Sequence, residues 1–263
     1  MRKLFFLILL LVLFSFSSVL NTQSETLDCS PDAINSAVSE VVTQFENNVT
    51  RISGSAQALR EATLLSLAID AIHDACAYQT FIENGGEETL NWLQSGGYVL
   101  YTRHTHTDRS RGDTSPEQCA TQRILSDRGR EEAAMIAPYF AMLDIPIDSI
   151  ISTEYCRVRE TAQLAFGDID STIPRADMAG RLPGLLSTAP PDGTNTLIVA
   201  HIGELSRVTP YNLGGTTIGA DGFEEGDTLI FQPLDDGDYE LVGRVDLEDW
   251  RSLALLYRQI TGE

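Results

Sequence analysis

Tyr98-Val99-Leu100-Tyr101-Thr102-Arg103-His104-Thr105 decides how this chain of 263 residues is read. Its first half is a short apolar run rich enough in aromatic and β-branched side chains to form a buried strand, and its second half turns abruptly polar. Working outward, the same change recurs twice. Ile147 to Ile151 is a second strand, released into Ser152-Thr153-Glu154-Tyr155-Cys156-Arg157. Thr196 to Ala200 is a third, released into His201-Ile202-Gly203-Glu204. Helical patterns fill the gaps, from Asp127 to Leu143 behind a Ser126 cap and from Val158 to Phe166. Late strands are expected at Thr228 to Phe231 and Tyr239 to Val245, with a closing helix from Leu247 to Ile260. Strand–helix alternation of this kind builds a right-handed, mostly parallel α/β sandwich. Its chemistry then sits at the carboxyl ends of the strands.

That topology gathers two histidines and at least two arginines on one rim. A neutral imidazole is a competent nucleophile towards phosphorus. Guanidinium groups grip phosphoryl oxygens in a fork and keep their charge at any physiological pH. Arginines nearby also depress a histidine's pKa and so keep it unprotonated for attack. A second histidine can donate to the charge spread over the phosphoryl oxygens.

Four motifs in order carry a resemblance. Arg103-His104-Thr105 resembles the Arg-His-Gly signature of the histidine phosphatase superfamily, the phosphoglycerate mutase-like proteins. Leu125-Ser126-Asp127-Arg128-Gly129-Arg130-Glu131-Glu132-Ala133 resembles its Leu-Thr-x-x-Gly-x-x-Gln-Ala helix start. Arg157 with Thr161-Ala162 is similar to its second arginine motif, and His201 after an apolar strand matches its second histidine. The similarity runs from about residue 95 to the end. It implies a three-layer α/β/α sandwich and hydrolysis of phosphomonoesters or phosphoramidates through a phosphohistidine on His104, with no metal and no cofactor. Arg103 and Arg157 would clamp the phosphate and His201 would complete the pocket, with Thr105 and Asp108 beside it. Thr105 stands where the family has glycine. The proton-donating glutamate expected after the second helix has no counterpart, since Asp170 to Leu186 offers only Asp177 in a short, proline-marked stretch. Glu204 and Asp108 are the rim candidates instead. The short span between Phe166 and Thr196 matches compact phosphatases rather than mutases with a larger lid.

Composition bounds the partners. With 38 acidic against 18 basic residues the formal charge is −20, which disfavours nucleic acid and anionic membrane surfaces. A phosphorylated small molecule is the expected partner. Arg2-Lys3, the apolar run Leu4 to Phe14 and the small residues after it form a secretory signal, with cleavage after Ser17. The alternative is an uncleaved membrane anchor, which the shortness of the run disfavours. Export, periplasmic or extracellular, suits the even cysteine count. Between residues 25 and 94 two apolar helical patterns, the second from about Ala58 to Ile82, form a helical extension ahead of a 95–263 catalytic domain. Folding that extension back near residue 55 places Cys29 against Cys76. Cys119 and Cys156 lie in loops leaving one side of the sheet, so they can pair and pin those loops together. His73 on the second helix reads as a packing residue. Asp235 to Asp238 has a calcium-loop composition without its ligand spacing and reads as a hairpin turn.

Two other readings compete. His104-Thr105-His106 is also a His-x-His pair, and with His201 it could hold a metal in a hydrolase, although the domain is short for a barrel. Alternatively, the arginine pocket binds phosphorylated ligands without turnover.

Overall fold

The computed structural model describes residues 28–49, 55–114, 118–205, 212–213, 216–217 and 222–262. The secretory-signal segment, residues 1–17, lies outside them. Among the described residues no helix is long and apolar enough to cross a membrane. The chain divides into two units at Asn84/Gly85.

The first unit is helical. Ser30 caps helix α1 (Pro31–Val49), its hydroxyl accepting from the Ala33 N–H at 3.3 Å. Helix α2 (Ser55–Glu83) is longer than its apolar pattern predicts and brings Cys76 back to Cys29. The two form a disulfide with Cα atoms 5.4 Å apart, as the folded-back sequence requires.

In the second unit, helix α3 (Gly86–Ser95) leads into strand β1 (Val99–Arg103). Between them Gly96 has φ +73°, and a side chain there would overlap the backbone at Gly193. Helix α4 (Asp127–Met142) follows with the expected Ser126 cap, which accepts from the Gly129 N–H at 3.0 Å. Next come β2 (Ile147–Thr153), α5 (Cys156–Ala165), β3 (Ser171–Ile173), α6 (Arg175–Leu186) and β4 (Asn195–Ala200). A one-turn helix α7 (Ile202–Leu205) and the small pair β5 (Asn212–Leu213) and β6 (Thr216–Thr217) precede β7 (Thr228–Pro233), β8 (Tyr239–Val245) and α8 (Asp249–Thr261). The Asp235–Asp238 run is the hairpin turn between β7 and β8.

The proline-marked stretch 170–186, to which the sequence reading assigns no element, holds an edge strand and a helix. Met178, Leu182 and Leu186 recur every four residues, and all three are fully buried. Pro183 is accommodated within the helix.

The six-stranded sheet has the order β3-β2-β4-β1-β7-β8. The first four strands are parallel and the last two antiparallel. Side chains of one parity (Val99, Tyr101, Ile198, Ala200, Leu229, Phe231) pack with Met178, Leu182 and Leu186 of α6. The opposite face is covered by α4, α5 and α8, where Phe140, Phe166 and Trp250 meet edge to face at 5.0–6.1 Å. Helices therefore flank both faces, giving the three-layer α/β/α sandwich. Buried Asn195 ties the strand starts together. Its amide donates to the carbonyls of Leu93 (2.8 Å) and Pro146 (3.2 Å) and its oxygen accepts from the Tyr98 N–H.

Candidate active site

Strand register builds the centre of the site. Parallel β1 and β4 place Arg103 opposite Ala200, so the residues that follow, His104 and His201, leave adjacent strands at one level. The His104 N–H still donates to the Ala200 carbonyl at 3.1 Å, carrying the ladder one step further. The two imidazoles, each 3% exposed, meet edge to face with centroids 5.1 Å apart. His104 Nδ1 lies 2.8 Å from the Thr105 carbonyl oxygen, which can only accept. Nδ1 therefore carries the proton and Nε2 keeps its lone pair. Burial pushes the His104 pKa well below the ordinary histidine value, and His201, Arg157 and Arg103 add to the effect.

Thr105 is fully buried. Its hydroxyl donates to the Gly129 carbonyl (2.8 Å) and its N–H to Thr161 Oγ1 (3.2 Å), whose own hydroxyl donates to the Arg157 carbonyl. The side chain at this position thus locks β1 to α4 and α5. This gives threonine a use where the resembling family carries glycine.

Arg157 opens α5 and is 1% exposed. Asp113 takes its NH1 and NH2 together at 2.9 and 3.1 Å, and NH1 also donates to the Arg123 carbonyl. Asp113 itself is steadied by the Arg123 N–H at 2.9 Å. The loop carrying it is zipped by Thr114 and Arg111 onto Thr121 and Ala120. The Cys119–Cys156 disulfide, Cα atoms 5.6 Å apart, fastens that loop to the start of α5. Arg103 donates to the Phe223 carbonyl (2.5 Å) and lies 3.8 Å from Glu225. Nε of Arg103, Nε of Arg157 and Nε2 of His201 are buried with no hydrogen-bond partner among the described residues. Such atoms mark where an anion fits.

His201 meets two further neighbours. Tyr155 packs edge-on against it at 5.1 Å, and Glu204 Oε1 is 3.3 Å from its Nδ1. Burial lowers the His201 pKa to about 4 despite Glu204. The same Glu204 oxygen accepts from Arg175 Nε at 2.8 Å. Burial pushes the Glu204 carboxyl up, but His201 and Arg175 outweigh it and hold the group below the usual carboxylate value. An ionised Glu204 accepts from Arg175 and places its negative charge 3.3 Å from His201 Nδ1. Arg175 and Arg157 both lie over the Tyr155 ring, at 5.2 and 4.7 Å. A cleft of about 410 Å³ opens beside them, lined by Glu154, Tyr155, Arg175, Ala176, Ala179, Gly203 and Glu204.

The remaining candidates go elsewhere. Asp108 makes a loop turn, its carboxylate accepting from the Ser110 N–H and hydroxyl. His106 pairs with Glu132 (Nδ1 to Oε2 2.7 Å) and lies 3.9 Å from Glu225, so it does not join the His104–His201 pair. Among the described residues no group of three metal-ligating side chains is brought together. Glu225, Asp113, Tyr155 and Arg175 are site residues that motif reading missed. Glu225 is 4% exposed and faces Arg103, His106 and Arg109 at once from the loop before β7.

No family model matches the sequence, and no curated protein matches it. Solved structures do resemble its fold. The protein histidine phosphatase SixA, complexed with tungstate, is 13% identical with a TM-score of 0.42; the alignment covers 57% of this chain and 97% of that one. A mycobacterial glucosyl-3-phosphoglycerate phosphatase is 15% identical with a TM-score of 0.35, covering 55% of this chain and 96% of that one.

Proposed function

We propose that this chain is an exported histidine-type phosphatase that hydrolyses phosphomonoesters or phosphoramidates through a phosphohistidine on His104. The observation that carries the reading is the buried His104–His201 pair beside the guanidiniums of Arg103 and Arg157, with Nε of each guanidinium and Nε2 of His201 unpartnered among the described residues. The two disulfides support an oxidising compartment.

The geometry supports the following chemistry. A phosphoryl dianion seats on the two guanidiniums, which cannot lose their charge. Nε2 of His104 attacks phosphorus and an N–P bond forms as the bond to the leaving group breaks; the leaving atom takes a proton from solvent. The dianion raises the proton affinity of His201, whose Nδ1 faces the Glu204 carboxylate at 3.3 Å. The resulting imidazolium donates from Nε2 to the phosphoryl oxygens, whose charge it stabilises. Water then attacks phosphorus, the N–P electron pair returns to His104, and orthophosphate leaves. The positive charge of this route comes from the chain's own side chains, so EDTA is expected to leave the rate unchanged.

His104→Ala is expected to lower turnover by about a thousandfold or more and to abolish acid-labile phosphoenzyme, whereas His106→Ala keeps most activity. Rapid-quench trapping with labelled substrate checks this; retained labelling in the His104 variant overturns the assignment. Vanadate-sensitive release of phosphate separates turnover from binding alone.

A further inference from the structure

The cleft beside His201 has no role in the phosphoryl chemistry itself, yet two of its walls, Tyr155 and Glu204, touch that imidazole. We infer that it is the leaving-group subsite, and that it takes a neutral, polyhydroxylated group such as a sugar rather than a second anion or an ammonium group. The inference rests on the phosphatase reading above and deepens it.

Size comes first. A cleft of about 410 Å³ lies within the range of small-molecule sites, roughly 300–1,000 Å³. One wall is built from Ala176, Ala179 and Gly203. A methyl group at Gly203 would come into contact with Arg175 Nη2 at 3.4 Å, so the glycine leaves room beside that guanidinium.

Charge decides the rest. The lining holds two carboxylates, Glu154 and Glu204, against one guanidinium, Arg175, whose Nε donates to Glu204 at 2.8 Å. A second phosphoryl group would lie against both the buried Glu204 carboxylate and Glu154, two negative charges to the one positive charge of Arg175. Glu204 Oε2 is buried with no hydrogen-bond partner among the described residues, an acceptor for a donor supplied from the cleft. Hydroxyl groups supply such donors at no cost in charge. An ammonium group would stand as a like charge beside Arg157 and Arg175, which already occupy the Tyr155 ring at 4.7 and 5.2 Å.

The test uses the full chain and four probes: phosphoramidate, whose leaving group is only ammonia, with glucose 6-phosphate, fructose 1,6-bisphosphate and phosphocholine. Glucose 6-phosphate is expected to exceed the bisphosphate and phosphocholine at least tenfold in kcat/KM. Ala176→Leu and Ala179→Leu, which narrow the cleft from α6, are expected to cut glucose 6-phosphate turnover at least tenfold and to leave phosphoramidate within twofold. Retained phosphoramidate hydrolysis also shows that each variant folds. Preference for the bisphosphate or phosphocholine, or equal losses on phosphoramidate and glucose 6-phosphate, or no loss on either, overturns the subsite while leaving the phosphatase reading intact. Absence of phosphoramidate turnover and of phosphoenzyme in the unsubstituted chain overturns both.

Discussion

Cys119 and Cys156 close a loop with a sequence separation of 37 residues. In the chain-entropy treatment a loop of that length restricts the unfolded ensemble by about 4 kcal/mol at 25 °C, between the values of roughly 3 and 4.7 for loops of 15 and 100 residues. The double substitution Cys119→Ser, Cys156→Ser is therefore expected to lower the stability of the α/β unit by about 4 kcal/mol. A second effect is local. The disulfide fastens the 119–123 segment onto which the Asp113 turn is zipped, and Cys156 N–H additionally donates to Gln122 at 2.9 Å. Loosening that segment loosens the carboxylate that grips Arg157, so phosphate affinity should fall with stability. Urea unfolding followed by tryptophan fluorescence is the assay. Both tryptophans of the chain, Trp92 and Trp250, belong to residues 85–263, so the signal reports that unit alone. The denaturant slope should rise slightly, because the unfolded chain is less constrained. A loss below about 1 kcal/mol would refute the reasoning, since it would mean that hydrogen bonds alone hold the loop.

Asp113→Ala leaves the Arg157 guanidinium, 1% exposed, without its carboxylate; a loss of about 2–3 kcal/mol is expected, and inorganic phosphate should raise the melting temperature of the variant more than that of the parent because it supplies the missing anion. Equal shifts would count against the pairing argument. Stability should also fall on acidification: His201 takes up a proton near pH 6.5 when unfolded but only near pH 4 when folded, so protons favour the unfolded chain below pH 6.5 and withdraw about 3 kcal/mol by pH 4. Burial of His104 acts in the same direction, and urea midpoints at pH 7.5 and pH 5 read the slope, which saturating phosphate should flatten. Gly129→Ala is expected to cost about 3 kcal/mol, because a methyl group there overlaps the His106 backbone carbonyl, which cannot swing aside as a side-chain tip would; thermal melts check it.

How much of this was legible in the sequence depended on range. Strands β1, β2 and β4 are apolar runs that end at polar residues, and their carboxyl ends are where His104, Arg157 and His201 stand. Ser126 and Ser30 announced helix starts because capping is local. Both disulfides followed from chain reversal and loop placement. Helix α6 was obscured by Pro174, Gly180, Pro183 and Gly184, although the spacing of Met178, Leu182 and Leu186 carried the signal. Asp113 and Glu225 were beyond reach for another reason. Their roles exist only across 44 and 122 residues of chain, to Arg157 and Arg103, and no local pattern encodes such a pairing. Arg175 belongs with them, since its function at the site depends on Glu204, 29 residues on.

Those long-range pairs bear on how a chain with a formal charge of −20 can hold the proposed phosphate site. Three guanidiniums converge on the His104–His201 centre, and each has a carboxylate from elsewhere in the chain: Arg157 with Asp113, Arg175 with Glu204, and, at a looser 3.8 Å, Arg103 with Glu225. The pairs cancel, and the two buried imidazoles add no charge because burial holds their pKa values down. Without ligand the cup is therefore close to neutral, which is what burial of so many polar groups tolerates. A phosphoryl dianion brings two negative charges into this balance. The unpartnered Nε atoms of Arg103 and Arg157 can meet it without breaking either pair, and proton uptake by His201 supplies the rest. Keeping the imidazoles neutral until the anion arrives serves both steps. In the proposed mechanism His104 keeps its lone pair for attack, and His201 becomes a donor only when phosphoryl charge is there to receive the bond.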